Sequence, residues 1–335
     1  MLNYILLIPI WAAFLVTLFS LPAWIRRAKK AGLVGRDINK FKKIEVAEAG
    51  GVTVLAGFIL GILLYVAIKT FYFDSNENVI EIFALTLSLL IISFIGLIDD
   101  LLGWKIGLSK KVRLFLVLLG AVPLMVINAG EAFATLPFLG KIDLSFWYTL
   151  IVIPLGIVGA STTFNFLAGY NGLEARQGIL ILTGLAVATW FTGSSWLTMI
   201  LIIMVFTLIS FLFFNWYPAK VFPGNVTTYS IGALIAATAV LGNIEKFALF
   251  IFIPNFIEII LKLRGKLAVE SFGKPSKDGS LELRQNKICG LEHVAIILLK
   301  KIKGRAYEND VVLLINAFQI IVIIAGFIIF RQGIF

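Results

Sequence analysis

Apolar runs of roughly 20 residues recur from end to end of this chain, separated by short charged clusters. About 20 apolar residues in helical form cross a bilayer. Backbone in lipid has no water to bond, so runs of this number and length demand helices that satisfy their own polar groups. Of the 335 residues, 60% are apolar. The mean hydropathy of +0.99 excludes an ordinary soluble domain. The pattern predicts an all-α polytopic membrane protein, one domain over 1–335. About ten transmembrane helices are expected near 3–24, 50–69, 79–98, 112–129, 147–167, 178–192, 196–215, 227–242, 246–263 and 310–330. The sixth and eighth are short and are expected to tilt or re-enter. The first is too long and too weakly charged at its start for a cleaved signal peptide.

The basic residues then orient the bundle. Numbering the loops by the span they follow, 25 of the 29 Lys and Arg fall in odd loops, and only Lys69, Lys141, Lys246 and Arg331 fall elsewhere. The positive-inside rule puts the odd loops in the cytoplasm of a cell membrane and both termini outside. In a eukaryote the same protein would sit in the endoplasmic reticulum membrane. A net charge of +10 confined to loops in this alternation is a topology signal, so nucleic acid is not an expected partner; membrane lipid is. One cysteine, Cys289, and one histidine, His293, exclude an internal disulfide and a Cys- or His-rich metal cluster. Residues 264–309 form the long last cytoplasmic loop, and 289–303 alternates apolar and basic residues as an interfacial helix does.

The odd loops also hold the polar groups that a membrane protein keeps for function. The run Ser161–Gln177 opens in an apolar segment and ends charged, with Asn165, Asn171 and Glu174 at the boundary. Gly169 and Gly172 allow tight turns there. Asp99 and Asp100 close the third span. Two adjacent carboxylates at a helix C-terminus repel each other and oppose the dipole, which favours a divalent cation over a merely solvated end. Lys110 and Lys111 follow, suited to phosphate, with loop anchoring as the alternative for either one alone. In 215–225, Phe222 beside Pro223-Gly224 can present a ring to a flat base, and Asn225 can offer a carbonyl oxygen to a metal. Trp216 and Tyr217 read as an interfacial aromatic belt. Arg36-Asp37-Ile38-Asn39-Lys40 and Glu48-Ala49-Gly50-Gly51 lead into the second span. His293 reads as a packed residue. Acidic metal ligands, basic phosphate ligands, an aromatic platform and turn glycines on one face make a kit for phosphoryl transfer from a nucleotide sugar.

These segments resemble the polyprenyl-phosphate N-acetylhexosamine-1-phosphate transferases, a glycosyltransferase 4 type family, and most closely its dolichyl-phosphate branch. The resemblance rests on Arg36–Lys40, Glu48, Asp99-Asp100, Asn165–Ala175, Asn215–Pro218, Val221–Asn225 and Lys277–Glu282. It implies a ten-helix bundle with a cytoplasmic active site, often dimeric, that uses magnesium, with manganese as an alternative. It implies UDP-N-acetylglucosamine as donor, a dolichyl or polyprenyl phosphate as acceptor, and UMP as product. Asn165 would be a metal ligand, with Asp99 and Asp100 near the metal and the acceptor phosphate. Lys110, or Lys111, would sit near the diphosphate. Phe222 would stack on uracil, and Asn171 would line the uridine pocket. Glu48 would lie near the sugar phosphate, with Asn39 and Glu174 also on the substrate side.

Two departures stand out. The family usually carries Asp where Asn225 stands. It also usually has Arg and His in the last loop, where 268–275 reads Ala-Val-Glu-Ser-Phe-Gly-Lys-Pro, leaving Lys274 as the substitute cation. The competing readings are a transporter or lipid carrier that relays ions through its acids, and a binding-only relative that has lost its metal.

Overall fold

The computed structural model describes residues 4–130, 133–136, 140–266, 271–285 and 287–331, without the side chains of 104–106, 110, 133–136, 140–143 and 145. Fourteen α-helices, one 3-10 turn, one π-helical turn and three two-stranded hairpins are found among the described residues. Six of the helical segments are long and apolar enough to cross a membrane. They contain α1 (Leu7–Lys30), α2 (Gly51–Phe71), α3 (Val79–Ile106), α9 (Ser195–Asn215), α10 (Gly224–Leu241) and α14 (Glu308–Ile329). The protein is therefore an all-α, multi-pass membrane protein.

The four other expected spans coincide with helices that are shorter, broken or polar at one end. The segment α4 (Lys110–Leu119) to α5 (Val122–Val126) breaks at Gly120-Ala121, just before Pro123. The run α6 (Ser145–Trp147) to α7 (Ile153–Phe164) passes through a π-helical turn at Tyr148–Val152, just before Pro154. α11 (Glu245–Ile251) and α12 (Ile253–Arg264) part at Phe252, just before Pro254. A proline inside a helix removes a ladder bond and clashes with the preceding turn. α8 (Leu173–Phe191) is long enough but carries Glu174 and Arg176 in its first turn.

α10 is the axis of the bundle, buried on every side from Val226 to Val240. Small residues allow this, because in lipid close backbone approach replaces the hydrophobic drive. Gly96 is the decisive contact. A Cβ there would lie 2.7 Å from the Asn225 backbone, so only glycine lets α3 lean onto the start of α10. Asp99 and Asp100 follow one turn later and are carried to the α10 N-terminus.

Short antiparallel hairpins occupy three of the connections. β1 (Val34–Arg36) pairs antiparallel with β2 (Glu45–Ala47), and Ala47 continues in parallel pairing to Val221. Phe222 N donates to Ala47 O at 2.7 Å, and Gly50 N to Phe222 O at 2.9 Å, which ties the 215–223 loop to the mouth of α2. β3 (Phe133–Leu136) and β4 (Gly140–Asp143) form a separate hairpin. β5 (Gly273–Pro275) and β6 (Leu281–Leu283) lie over α13 (Leu291–Lys303). A second apolar core joins Leu167, Tyr170 and Leu173 to Leu281, Ile296, Val312 and Ile315, so the last loop folds against the Asn165 turn.

Candidate active site

A cleft of about 900 Å³ opens where these loops meet. Its wall includes Glu48, Asp100, Asn165, Glu174, Phe222 and Asn225, six of the residues the sequence singled out, drawn from four separate segments. A cleft of this size suits a ligand of a few hundred daltons.

Asp100 is 9% exposed, and its carboxylate accepts the backbone amides of Asn225 at 2.8 Å and Val226 at 3.2 Å. It thereby caps α10 from another helix, satisfying orphan donors at the positive end of the dipole. Asp99 turns the other way. It accepts Leu108 N at 2.7 Å and pairs with Arg113 at 3.0 Å, and its Oδ2 also accepts Asn225 Nδ2 at 2.8 Å. Arg113 thus neutralises one member of the acidic pair, a role that its place among the loop charges does not reveal. Asn165 Oδ1 accepts the Thr228 hydroxyl at 2.7 Å.

Glu174 is buried, and one oxygen accepts Gly169 N at 2.7 Å while the other has no hydrogen-bond partner. Burial pushes its carboxyl up to about 7. Burial also raises Glu48, whose backbone carbonyl accepts the Trp24 indole at 2.9 Å. Gly169 (φ 98°) and Gly172 (φ 76°) take the left-handed conformations expected of them.

Other expected site residues serve the frame. Asn171 is 2% exposed and is not on the cleft wall. It donates to Asp37 at 3.1 Å and accepts Ala219 N at 2.8 Å, while its own amide donates to Glu308 at 2.8 Å. Lys40 closes this knot on Asp37 at 3.1 Å and on Glu308. Asn39 is likewise buried, donating to Gly169 O at 2.8 Å. Lys274 is exposed on β5, outside the cleft wall. The Lys110 side chain lies outside the described residues, as do residues 268–270 of the last loop; Lys111 is exposed. Trp216 and Tyr217 carry cations on their faces, Arg176 at 3.5 Å and Lys40 at 4.2 Å, which their belt-like sequence context concealed. His293 is fully buried, and burial lowers its pKa. Among the described residues no three His, Cys, Asp or Glu side chains group as a metal site.

Comparison with known proteins places the chain in a family. The family model for glycosyl transferase family 4 matches residues 82–243, which hold Asp99, Asp100, Asn165 and Asn225. A protein of Saccharolobus solfataricus is 38% identical over 92% of this chain and 92% of its own. The chain belongs to glycosyl transferase family 4. That relative carries the provisional name UDP-N-acetylglucosamine–dolichyl-phosphate N-acetylglucosaminephosphotransferase. A Dictyostelium discoideum protein bearing this name without qualification is 28% identical over 75% of this chain and 69% of its own. A Bacillus subtilis relative, 29% identical over 75% of this chain and 68% of its own, is named a probable undecaprenyl-phosphate N-acetylglucosaminyl 1-phosphate transferase.

Proposed function

We propose that this chain transfers N-acetylglucosamine-1-phosphate from UDP-N-acetylglucosamine to a dolichyl or polyprenyl phosphate, releasing UMP, at the cytoplasmic face of the membrane. The observation that carries the reading is the convergence of Glu48, Asp100, Asn165, Phe222 and Asn225 on one cleft at the end of an apolar bundle. A nucleotide sugar needs the polar wall, and an isoprenoid acceptor needs the bundle. An acceptor phosphate oxygen attacks the sugar-bearing phosphorus, and the bond to the UMP oxygen breaks. A phosphate monoester, with second pKa near 6, is largely dianionic at neutral pH and needs no strong base to release its nucleophile. The work left to the protein is positioning and charge neutralisation.

Phe222, on the cleft wall, is the residue proposed to stack on the uracil ring. Asn171 serves by fixing the loop rather than by touching the base. Asp100, Asn165 and Asn225 supply only hard oxygen donors to the cleft, the chemistry that suits magnesium or manganese. Asn225 gives its amide nitrogen to Asp99, so its Oδ1 is the atom that would meet the ion. Asn165 Oδ1 keeps a second lone pair beside its bond to Thr228. When bound, the metal would offset charge developing on the diphosphate.

Incubating purified protein with radiolabelled UDP-N-acetylglucosamine, a polyprenyl phosphate and magnesium is expected to yield labelled lipid and UMP in equal amounts. Absence of both across a range of acceptors and metals would end the reading. Phe222→Ala is expected to raise KM for the nucleotide sugar by about tenfold, with little change for the acceptor, from loss of about 1–3 kcal/mol of stacking. Asn225→Asp has a different signature. It places a carboxylate where an amide now donates to Asp99 at 2.8 Å. Its thermal stability is expected to fall without divalent cation and to recover when magnesium is added, more steeply than for the wild type. A variant whose melting temperature ignored magnesium would argue against a cation at this position.

A further inference from the structure

A buried polar cluster lies behind the Asn165 turn, between α12 and α13. Glu258 and Glu292 are both 0% exposed. Glu258 Oε2 accepts the Leu291 amide at 2.6 Å. A Cβ placed on Gly290 would lie 3.0 Å from Glu258 Oε1 and 2.5 Å from Glu292 Oε2, so both carboxyls crowd the space beside that glycine. Two neighbouring buried carboxyls disfavour each other's ionised form. Burial and the Glu258 carboxyl together push Glu292 up to about 8. Lys262 is the cation beside the pair, its ammonium 3.3 Å from Glu258 Oε1.

Lys262 does not end there. Its ammonium also donates to the Phe166 carbonyl, one residue beyond Asn165. Its side chain is 16% exposed and lines the cleft. An ammonium has three donors, and these two contacts leave one for whatever the cleft holds. Among the described residues on the cleft wall, the only other cation is Arg36. Lys274, the sequence's choice for this role, is elsewhere. A lysine wholly given to structure would be sealed behind its partners; this one sits on the wall of the cavity.

We propose that Lys262 binds a phosphate-type anion of the substrates, with the Glu258–Glu292 carboxyl pair as the positioning device that holds its ammonium at the cleft wall. The inference rests on the transferase reading. The anion is either the donor diphosphate or the acceptor phosphate. The neighbouring Asn165–Phe166 turn explains why the pair is built here: one buried charge cluster fixes both the turn and the cation beside it.

The test uses the full-length protein in detergent, with Michaelis constants measured separately for UDP-N-acetylglucosamine and the polyprenyl phosphate, and with UDP binding followed by calorimetry. Lys262→Met is expected to raise one KM by about 10- to 100-fold, the scale of a lost charge-assisted bond. A rise for the nucleotide sugar together with weaker UDP binding assigns the diphosphate. A rise for the lipid with UDP binding intact assigns the acceptor phosphate. Lys262→Arg is expected to restore most of the loss, which a purely structural role would not predict. Glu258→Gln is expected to raise the same KM with kcat nearly unchanged. If Lys262→Met does not fold, Lys262→Gln keeps a donor for the Phe166 carbonyl and carries the same expectation. A folded Lys262 variant with both KM values and UDP binding at wild-type levels would overturn the proposal while leaving the transferase reading intact. A wild type that makes no labelled lipid would remove the transferase reading; weaker UDP binding by Lys262→Met would then still support Lys262 as a diphosphate ligand, and unchanged UDP binding would overturn it.

Discussion

Asp100→Asn is expected to lower turnover by about 10²–10³-fold, the usual cost of removing one preorganised polar group from a reacting site, while melting within a few degrees of wild type. Asparagine retains an acceptor for one of the two α10 amides now held at 2.8 and 3.2 Å, but it loses the charge that faces the cleft. Asp100→Ala removes both the charge and the cap. It is expected to lose the same activity and, in addition, about 1–2 kcal/mol of stability. Comparing the two by initial rates and thermal unfolding separates the chemical role from the capping role. Wild-type turnover in Asp100→Asn would reduce this residue to a helix cap and take the acidic wall out of the mechanism.

The second large effect is on stability. Lys40, Asp37, Asn171 and Glu308 form a buried knot that joins the β1–β2 hairpin, the 169–172 turn and the start of α14. The Lys40 side chain is 12% exposed and that of Glu308 3%, so neither charge has bulk water to fall back on. Lys40→Met leaves Asp37 and Glu308 facing each other without a cation, and is expected to cost about 3–5 kcal/mol. The double variant Lys40→Met with Glu308→Gln removes one stranded charge and is expected to recover a substantial part of that loss. Thermal or denaturant unfolding in detergent measures both. Additive losses in the double variant would mean that the two residues do not act as a pair.

Much of the site was legible because lipid makes polar residues conspicuous. In a chain this apolar, Glu48, Asp100, Asn165, Glu174, Phe222 and Asn225 stood out at span ends, and all six line the cleft. Asn39 and Asn171 stood out equally, yet each is buried in hydrogen bonds to the protein. Sequence alone cannot separate an amide that meets a ligand from one that meets a loop, because both avoid lipid for the same reason. Lys262 failed in the opposite sense. It follows an apolar run among other basic residues and looks like one more inside-facing anchor. Its ion-pair partner Glu258 lies one turn back on the same helix, but Phe166 and Glu292, the second carboxyl of the pair, are distant in sequence, and nothing local marks them.

What the sequence determined by itself was the solvent. Apolar runs and one-sided charge dictate helices, a membrane and a common face for the polar loops, since an unsatisfied backbone or stranded charge in hydrocarbon costs several kcal/mol. Only the tertiary structure decided which of the two neighbouring acids serves the cleft. Asp100 reaches it because Gly96 lets α3 lean on α10, while Asp99, one residue earlier and rotated about 100° around the helix, is directed at Arg113 and Leu108. Helical geometry sends adjacent side chains to different faces, and only packing determines what waits on each.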